Sequence, residues 1–571
     1  MAEVQPLVAP YADQNRREWT GGYFIGVDRP GQLLSKEVTK GAMAIDRIAL
    51  SDALTVQSLT TIVFGAISTY AVLRCVYLLY FHPLSKFPGP RIAAVSNVWY
   101  GYHWLSGRYP WAIENTLREY GDVVRIAPNE LVFITPQASI DIYSPHQKRL
   151  ESFVKTDFNN RGKDLGGLIW EEDPVKHREV AKTVLPAFSN RAIRATESTV
   201  HEYMDYFVEN MKKLGDTPDG VELGRWTEWL AMDMSADLSW SEKMGHMRNS
   251  KQPYNLKLML PKAELYCVVK NSVYLDVLLG FNAFTTIIQV FKRFPLLSPF
   301  KFFAAPVAKL SSLAAMEKAA RDSVGERIDK RDSIEHNDFF ESIMPSHCPL
   351  PTNQRDLAHL GSVAVQLMFA GFNPMSDWFY STIYFLLQEA ECYELVTKEI
   401  RNALKDYEDI SPGALNSLQY LNACLKESLR LFNSNNTGLP RICPGAVVDG
   451  HYIPKGARVQ TSIFALTRSP RYFHDPLHFR PQRWLPSDHP LYNLKFAKDE
   501  LKGFLPFSVG PRQCMGKDMA WMQAMLFMSK VLWIFDLIKV PDQNMNFEGK
   551  LYHYGFFVKP EVKVRFVQRR L

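Results

Sequence analysis

The chain has 571 residues, with 66 Lys and Arg against 60 Asp and Glu and a formal net charge of +6. So dilute a positive balance excludes the clustered basic surface of a nucleic-acid-binding protein. Hydrophobic residues at 46% and aromatics at 13% supply a large core and an apolar pocket. The seven cysteines (75, 267, 348, 392, 424, 443 and 514) are scattered and odd in number, with no C-x-x-C pair. That pattern argues against a disulfide framework or a zinc site and fits a reducing compartment.

Residues 1–53 are polar, punctuated by Gly21, Gly22, Pro30 and Gly31, and read as a poorly ordered extension. Leu54 to Leu73 then runs 20 residues without a charge, and the apolar character resumes after Arg74 through Phe81. A helix of that length matches a hydrocarbon core of about 30 Å, so residues 54–81 are expected to form a transmembrane anchor. The segment is internal and lacks a small-residue cleavage site, unlike a signal peptide. Lys86 and Arg91 beyond it place the C-terminal side in the cytosol. Pro83, Pro88 and Pro90 stiffen the exit.

Gly121 to Ile134 alternates and is rich in Val and Ile, predicting a β-hairpin. Leu278 to Phe303 is a second apolar patch, broken by Lys292, Arg293, Pro295 and Pro299 and therefore not a second span. Ala358 to Glu391 keeps helical spacing for over 30 residues. At its centre stands A-G-F-N-P-M-S, where Pro374 is expected to kink the helix. Leu418, Leu421, Leu425 and Leu429 form a helical stripe on which Glu427 and Arg430 share one face. The run D-G-H-Y-I-P-K-G from Asp449 predicts a tight hairpin. Tyr552 to Phe566 alternates and reads as a hairpin closing a pocket.

The stretch Phe504 to Met522, F-L-P-F-S-V-G-P-R-Q-C-M-G-K-D-M-A-W-M, organises the rest. Cys514 lies on a turn between Gly510 and Gly516. Met519, Met522, Met525 and Leu526 then continue at helical spacing. Glycines on both sides permit positive φ and a close approach to something flat. Backbone N–H groups and a helix start beside the sulfur are expected to favour the thiolate.

The pattern F-x-x-G-x-R-x-C-x-G, here Phe507, Gly510, Arg512, Cys514 and Gly516, resembles the haem-binding loop of the cytochromes P-450. The resemblance extends from about Phe81 to Leu571, with hinge, long helix, E-x-x-R, F-R-P-Q-R-W and cysteine loop in the family's order. It implies a mainly α fold with a small β-rich lobe, preceded by the transmembrane helix, with residues 82–571 as the catalytic domain. It implies haem b held by the Cys514 thiolate, with Arg441, Arg512 and Lys182 (beside His177) reaching its propionates. The usual arginine one turn after that histidine is here Ala181. Glu427, Arg430 and Arg483 correspond to the family's buried structural triad, with Gln482 where a glutamate is common.

On the distal side, Ala370 and Gly371 match the small pair that lets oxygen and substrate approach the iron. The family follows with an acid and a threonine that deliver protons; this chain has Asn373 and Pro374. Proton delivery would then fall to Asn373, Ser376, water or the substrate. The function implied is oxidation of a lipophilic small molecule by a fungal microsomal monooxygenase of secondary metabolism. An NADPH-dependent reductase and membrane lipid are the partners, and the cytosolic face of the endoplasmic reticulum is the location. Asn373 and Pro374 also leave open an isomerase or dehydratase needing neither dioxygen nor reductase. A third reading is a non-catalytic haem-binding or scaffold protein, against which the intact cysteine loop argues.

Overall fold

The computed structural model describes residues 57–147, 150–157, 167–249, 286–296, 318, 322–331, 333, 335–344, 353–434, 436–541, 543 and 547–570. The expected extension 1–53, the first three residues of the anchor and much of the patch 278–303 lie outside them. The chain divides into two compact units, Met1–Arg74 and Cys75–Leu571.

Helix α1, Gln57–Phe81, is 25 residues long with a mean hydropathy of 1.8 in its most apolar stretch, and is the one described helix long and apolar enough to cross a membrane. Its side chains Ile62, Phe64, Ile67 and Leu73 are exposed.

In the second unit, α2 (Pro174–Val184) starts on Asp173, whose carboxylate accepts from the Val175 N–H at 2.8 Å, with Pro174 in the first turn. Helix α3 (Leu223–Trp240) is capped by Glu222 and packs along α4 (Gln354–Gln388). Helix α4 begins on an Asn353 cap and runs 35 residues without interruption at Pro374, which is exposed. Helices α5 (Gln419–Leu431) and α6 (Lys517–Ile534) complete the group around α4. Their facing side chains, among them Trp378, Phe379, Leu421, Leu425, Leu526 and Phe527, form the main core. The stacked rings of Phe379 and Phe527, 4.2 Å between centroids, join α4 to α6.

The strands are few. The predicted hairpin is β1 (Val123–Ala127) and β2 (Glu130–Phe133), paired antiparallel. Further strands are β3 (Val154–Lys155), β4 (Val221–Glu222), β5 (Arg441–Ile442), β6 (Ala446–Val448), β7 (His451–Ile453), β8 (Arg458–Thr461), β9 (Phe535–Lys539) and β10 (Lys563–Gln568). One sheet has the order β1-β2-β8-β5-β3 and covers a second core of Leu84, Phe87, Leu131, Phe133 and Val459; another runs β9-β10-β4. The β6–β7 hairpin turns on Asp449 and Gly450, both at positive φ (47° and 76°), as a type I′ turn requires. The expected C-terminal hairpin is shorter than read: Tyr552–His553 pairs with Phe557–Val558, whereas β10 joins β9 and β4. In the apolar patch, Arg293 is half-buried against the Tyr100 ring, 3.6 Å from its centroid, and pairs with Glu130.

Candidate active site

The Cys514 turn is closed by its own backbone, its N–H donating to the Phe507 carbonyl at 2.9 Å. Gly510 has φ 76°, and a Cβ there would stand 2.1 Å from the Tyr143 carbonyl oxygen, so no side chain is admitted. Gly516 has φ −82°, which any residue adopts, so only one of the two flanking glycines takes the expected positive φ. The Phe507 ring sits edge-on to Trp378 of α4 at 6.2 Å, and Trp521 of α6 meets the same indole at 4.9 Å. This aromatic wedge fixes the turn between two helices.

The Cys514 side chain retains exposed surface. Even so, the protein atoms crowded around the sulfur raise the thiol pKa, and the Gly516 N–H offsets only part of this. The expectation that the backbone N–H groups and helix start favour the thiolate is therefore corrected. A bound metal cation is what would deprotonate this sulfur.

In the buried middle of α4, Ala370 and Pro374 are exposed. Four residues apart, they share one face and make a small apolar stripe. Gly371 points elsewhere: a Cβ on it would lie 2.4 Å from Ser235 Oγ of α3. Its expected role in opening the approach to iron is corrected to one in helix packing.

Asn373 and Ser376 are buried off this stripe. Asn373 Nδ2 donates to Asp377 Oδ2 at 3.0 Å, and Ser376 Oγ accepts from Lys559 Nζ at 2.9 Å. Neither is on the stripe with Ala370 and Pro374. Lys559 also bonds Asp377 Oδ1 at 2.9 Å and Glu228 Oε1 at 3.1 Å, while Ser434 Oγ donates to Asp377 Oδ2 at 2.8 Å. Sequence reasoning missed Asp377 and Lys559, although Asn373 and Asp377 stand at helical i,i+4 spacing.

Four basic side chains gather beside the five-stranded sheet. Arg441 is buried and lies directly opposite Lys155 in the β5–β3 register. Like charges so placed repel. Arg512 bonds Glu151 at 2.6 Å and the Glu171 carbonyl at 2.6 Å. His177 is buried on α2. Burial, then Arg512 and Arg441, push the Lys155 pKa down to about 7. Burial with Arg512, Lys155 and Arg441 takes His177 to about 3. Burial also lowers Arg441.

Such crowding of Arg441, Arg512 and Lys155 against few carboxylates, with His177 neutral beside them, fits a bound dianion such as the two propionates of haem. Lys155 was not foreseen, because a two-residue strand leaves no readable pattern. Lys182 does not join the cluster: it is exposed. Five positions on from His177 it is rotated by about 140° around a helix of 3.6 residues per turn.

Glu427, Arg430 and Arg483 are brought together with fully buried side chains. Glu427 accepts two bonds from Arg430 at 2.8 Å, one from Arg483 Nε at 3.1 Å, one from the Arg480 N–H at 2.9 Å and one from Trp484 Nε1 at 2.8 Å. Arg483 also pairs with Asp499, a member the sequence did not announce.

Comparison with known proteins gives a consistent result. The family model "Cytochrome P450" matches residues 90–564. The chain is 46% identical over 516 residues to the cytochrome P450 monooxygenase TwmD of Talaromyces wortmannii, covering 90% of this chain and 97% of that protein. It is 33% identical to the cytochrome P450 monooxygenase poxC of Penicillium oxalicum, over 87% of this chain and 92% of the relative. It is 27% identical to the trichothecene C-4 hydroxylase of Trichoderma arundinaceum, over 89% and 96%.

Proposed function

The chain belongs to the cytochrome P450 family and is a monooxygenase of that family, and we propose that it hydroxylates or otherwise oxidises a lipophilic small molecule of fungal secondary metabolism. The trichothecene hydroxylase named among its relatives supports that substrate class. The observation that carries the reading is the Cys514 turn, shaped by a glycine that tolerates no side chain and set beside a cluster of under-neutralised cations.

In this reading the prosthetic group is haem b, bound without thioether links, since the chain has no C-x-x-C pair. Cys514 ligates the iron, and Arg441, Arg512 and Lys155 hold the propionates. When bound, the haem supplies dioxygen activation, with the thiolate pushing electron density toward O–O cleavage. Ala370 and Pro374 offer substrate an apolar, unbranched surface, which excludes water rather than binding it. Gly510 keeps the cysteine turn close to Tyr143, and the Phe507–Trp378–Trp521 wedge keeps that turn in register with α4.

Residues 54–81 anchor the protein in the endoplasmic reticulum membrane. Residues 1–53 are lumenal, and the body from residue 82 is cytosolic, where an NADPH-dependent reductase delivers electrons. Incubation of yeast microsomes carrying the full chain and a reductase with isotopically labelled dioxygen tests the reading. One labelled oxygen atom should enter an apolar substrate only when NADPH is present. Product formed without NADPH, unlabelled, would replace it with the isomerase or dehydratase reading.

A further inference from the structure

We propose that Asp377, Lys559 and Glu228 form a proton reservoir that feeds the oxidation through the hydroxyl of Ser434, with Asn373 as a positioning residue. The proposal rests on the monooxygenase reading. Converting substrate, dioxygen and two electrons to an alcohol and water consumes two protons, which must cross a closed protein interior.

The cluster is built for that supply. One ammonium lies between two carboxylates, at 2.9 Å from Asp377 and 3.1 Å from Glu228. The group therefore carries an excess negative charge out of water, and its least costly relief is to take up a proton. Lys559 is held protonated: burial works against it, but Asp377 and Glu228 outweigh burial. Burial in turn raises Asp377 against the pull of Lys559 and the hydrogen bond from Ser434. The other titratable groups that act on the cluster are Glu222, itself raised to about 7 mainly by burial, and Tyr380 beneath the ammonium.

The cluster also has two distinct ends. The Glu228 side chain is 20% exposed, against 5% for Lys559 and 0% for Asp377, so solvent reaches it at Glu228. At the other end, Asp377 Oδ2 is held by Asn373 Nδ2 at 3.0 Å and by Ser434 Oγ, half-buried, at 2.8 Å. Asn373 directly precedes Pro374, whose exposed ring has no N–H to give the Ala370 carbonyl. Glu228 takes up a proton from solvent and passes it to Lys559 Nζ as the ammonium gives one to Asp377 Oδ1, so Lys559 stays protonated throughout. The Asp377 carboxyl presents the proton at Oδ2, and Ser434, whose hydroxyl donates to that oxygen at rest, turns to accept it while its own proton leaves from the opposite side of Oγ. The amide of Asn373 only orients the carboxyl.

The test uses full-length, haem-loaded protein in lipid vesicles, as wild type, Asp377→Asn, Asp377→Glu and Ser434→Ala. A pH-indicator dye reads proton uptake on anaerobic chemical reduction, and the solvent deuterium isotope effect is measured on reductase-supported oxygen consumption with NADPH. Wild type should take up protons on reduction, since a buried carboxylate in a net-negative group answers a further negative charge in the protein by protonating. Asp377→Asn should lose that uptake, slow about 10²-fold, the lower range for a lost general acid, enlarge the solvent isotope effect and divert electrons to hydrogen peroxide. Asp377→Glu should restore uptake. Ser434→Ala should keep uptake yet show the enlarged isotope effect, and it decides the matter if Asp377→Asn does not fold. Unchanged uptake and isotope effect in Asp377→Asn, or in Ser434→Ala an unchanged isotope effect, would overturn the proposal. A wild type that takes up protons but consumes no oxygen would instead overturn the monooxygenase reading.

Discussion

Replacing Glu427 by Gln keeps shape and removes one charge from the most deeply buried ionic site among the described residues. Arg483 retains Asp499, so the loss does not fall on it. Arg430 keeps only the carbonyls of Thr467, Pro476 and His478, which satisfy its N–H groups but not its charge. One fully buried guanidinium is thereby left without a counter-ion, a loss of ~3–5 kcal/mol by the general behaviour of such pairs. Against a total stability of about 5–15 kcal/mol that is a large fraction. Glu427→Ala should cost more, because the Trp484 indole and the Arg480 N–H also lose their acceptor, at about 1–3 kcal/mol for each buried orphan.

Urea unfolding of the detergent-solubilised protein, followed by tryptophan fluorescence, reads the difference. The exposed pair Lys212–Glu209, 2.7 Å apart, provides the comparison: Glu209→Gln should change stability by less than ~1 kcal/mol. The pH dependence has a definite sign. Burial opposes ionisation of Glu427, but Arg430 and Arg483 outweigh it and hold its pKa below the ordinary 4.5. Its contribution is therefore complete above pH 4.5 and is lost as pH falls through the lowered folded value. A Glu427→Gln cost no larger than that of Glu209→Gln would refute the reasoning.

Gly371→Ala should destabilise by about 1–3 kcal/mol through overpacking, and Ser235→Ala should rescue it, because the nearest remaining Ser235 atom is 3.4 Å away; thermal melting of single and double variants checks this. In the haem-free protein the Lys155 pKa of about 7 lies below its ordinary 10.5, so the unfolded chain binds the extra proton and stability should rise between these values. Lys155→Met should flatten that slope in melts taken from pH 7 to 10, and should weaken haem retention. In a protease-protection assay on intact microsomes, a C-terminal tag should be digested and an N-terminal tag protected; the reverse pattern would invert the topology.

What could be read from the chain follows from how local each signal is. The cysteine turn, the E-x-x-R helix and the long α4 are set by neighbours within one or two turns, and each appears in the sequence as spacing. The Asp449–Gly450 hairpin is similarly local. Lys155 was invisible because its importance comes from lying opposite Arg441 across 286 residues of chain (441 − 155), in strands of two residues each. Gly371 was misassigned because a small residue looks alike whether it faces a ligand or, as here, a neighbouring helix. Lys182 lies out of helical phase with His177, which is buried on the inward face of α2 while Lys182 is exposed. On α4, attention to Asn373 and Pro374 hid the acid one turn later, at Asp377, which the Asn373 amide holds directly.

The central claim is that Cys514 supplies the axial sulfur to haem iron. It is tested most directly by the difference spectrum of the reduced, carbon-monoxide-bound full-length protein, wild type against Cys514→Ala. The wild type should show the red-shifted thiolate band and the variant should lack it while retaining the native far-ultraviolet circular dichroism. A thiolate-type band that survives in Cys514→Ala would contradict the account.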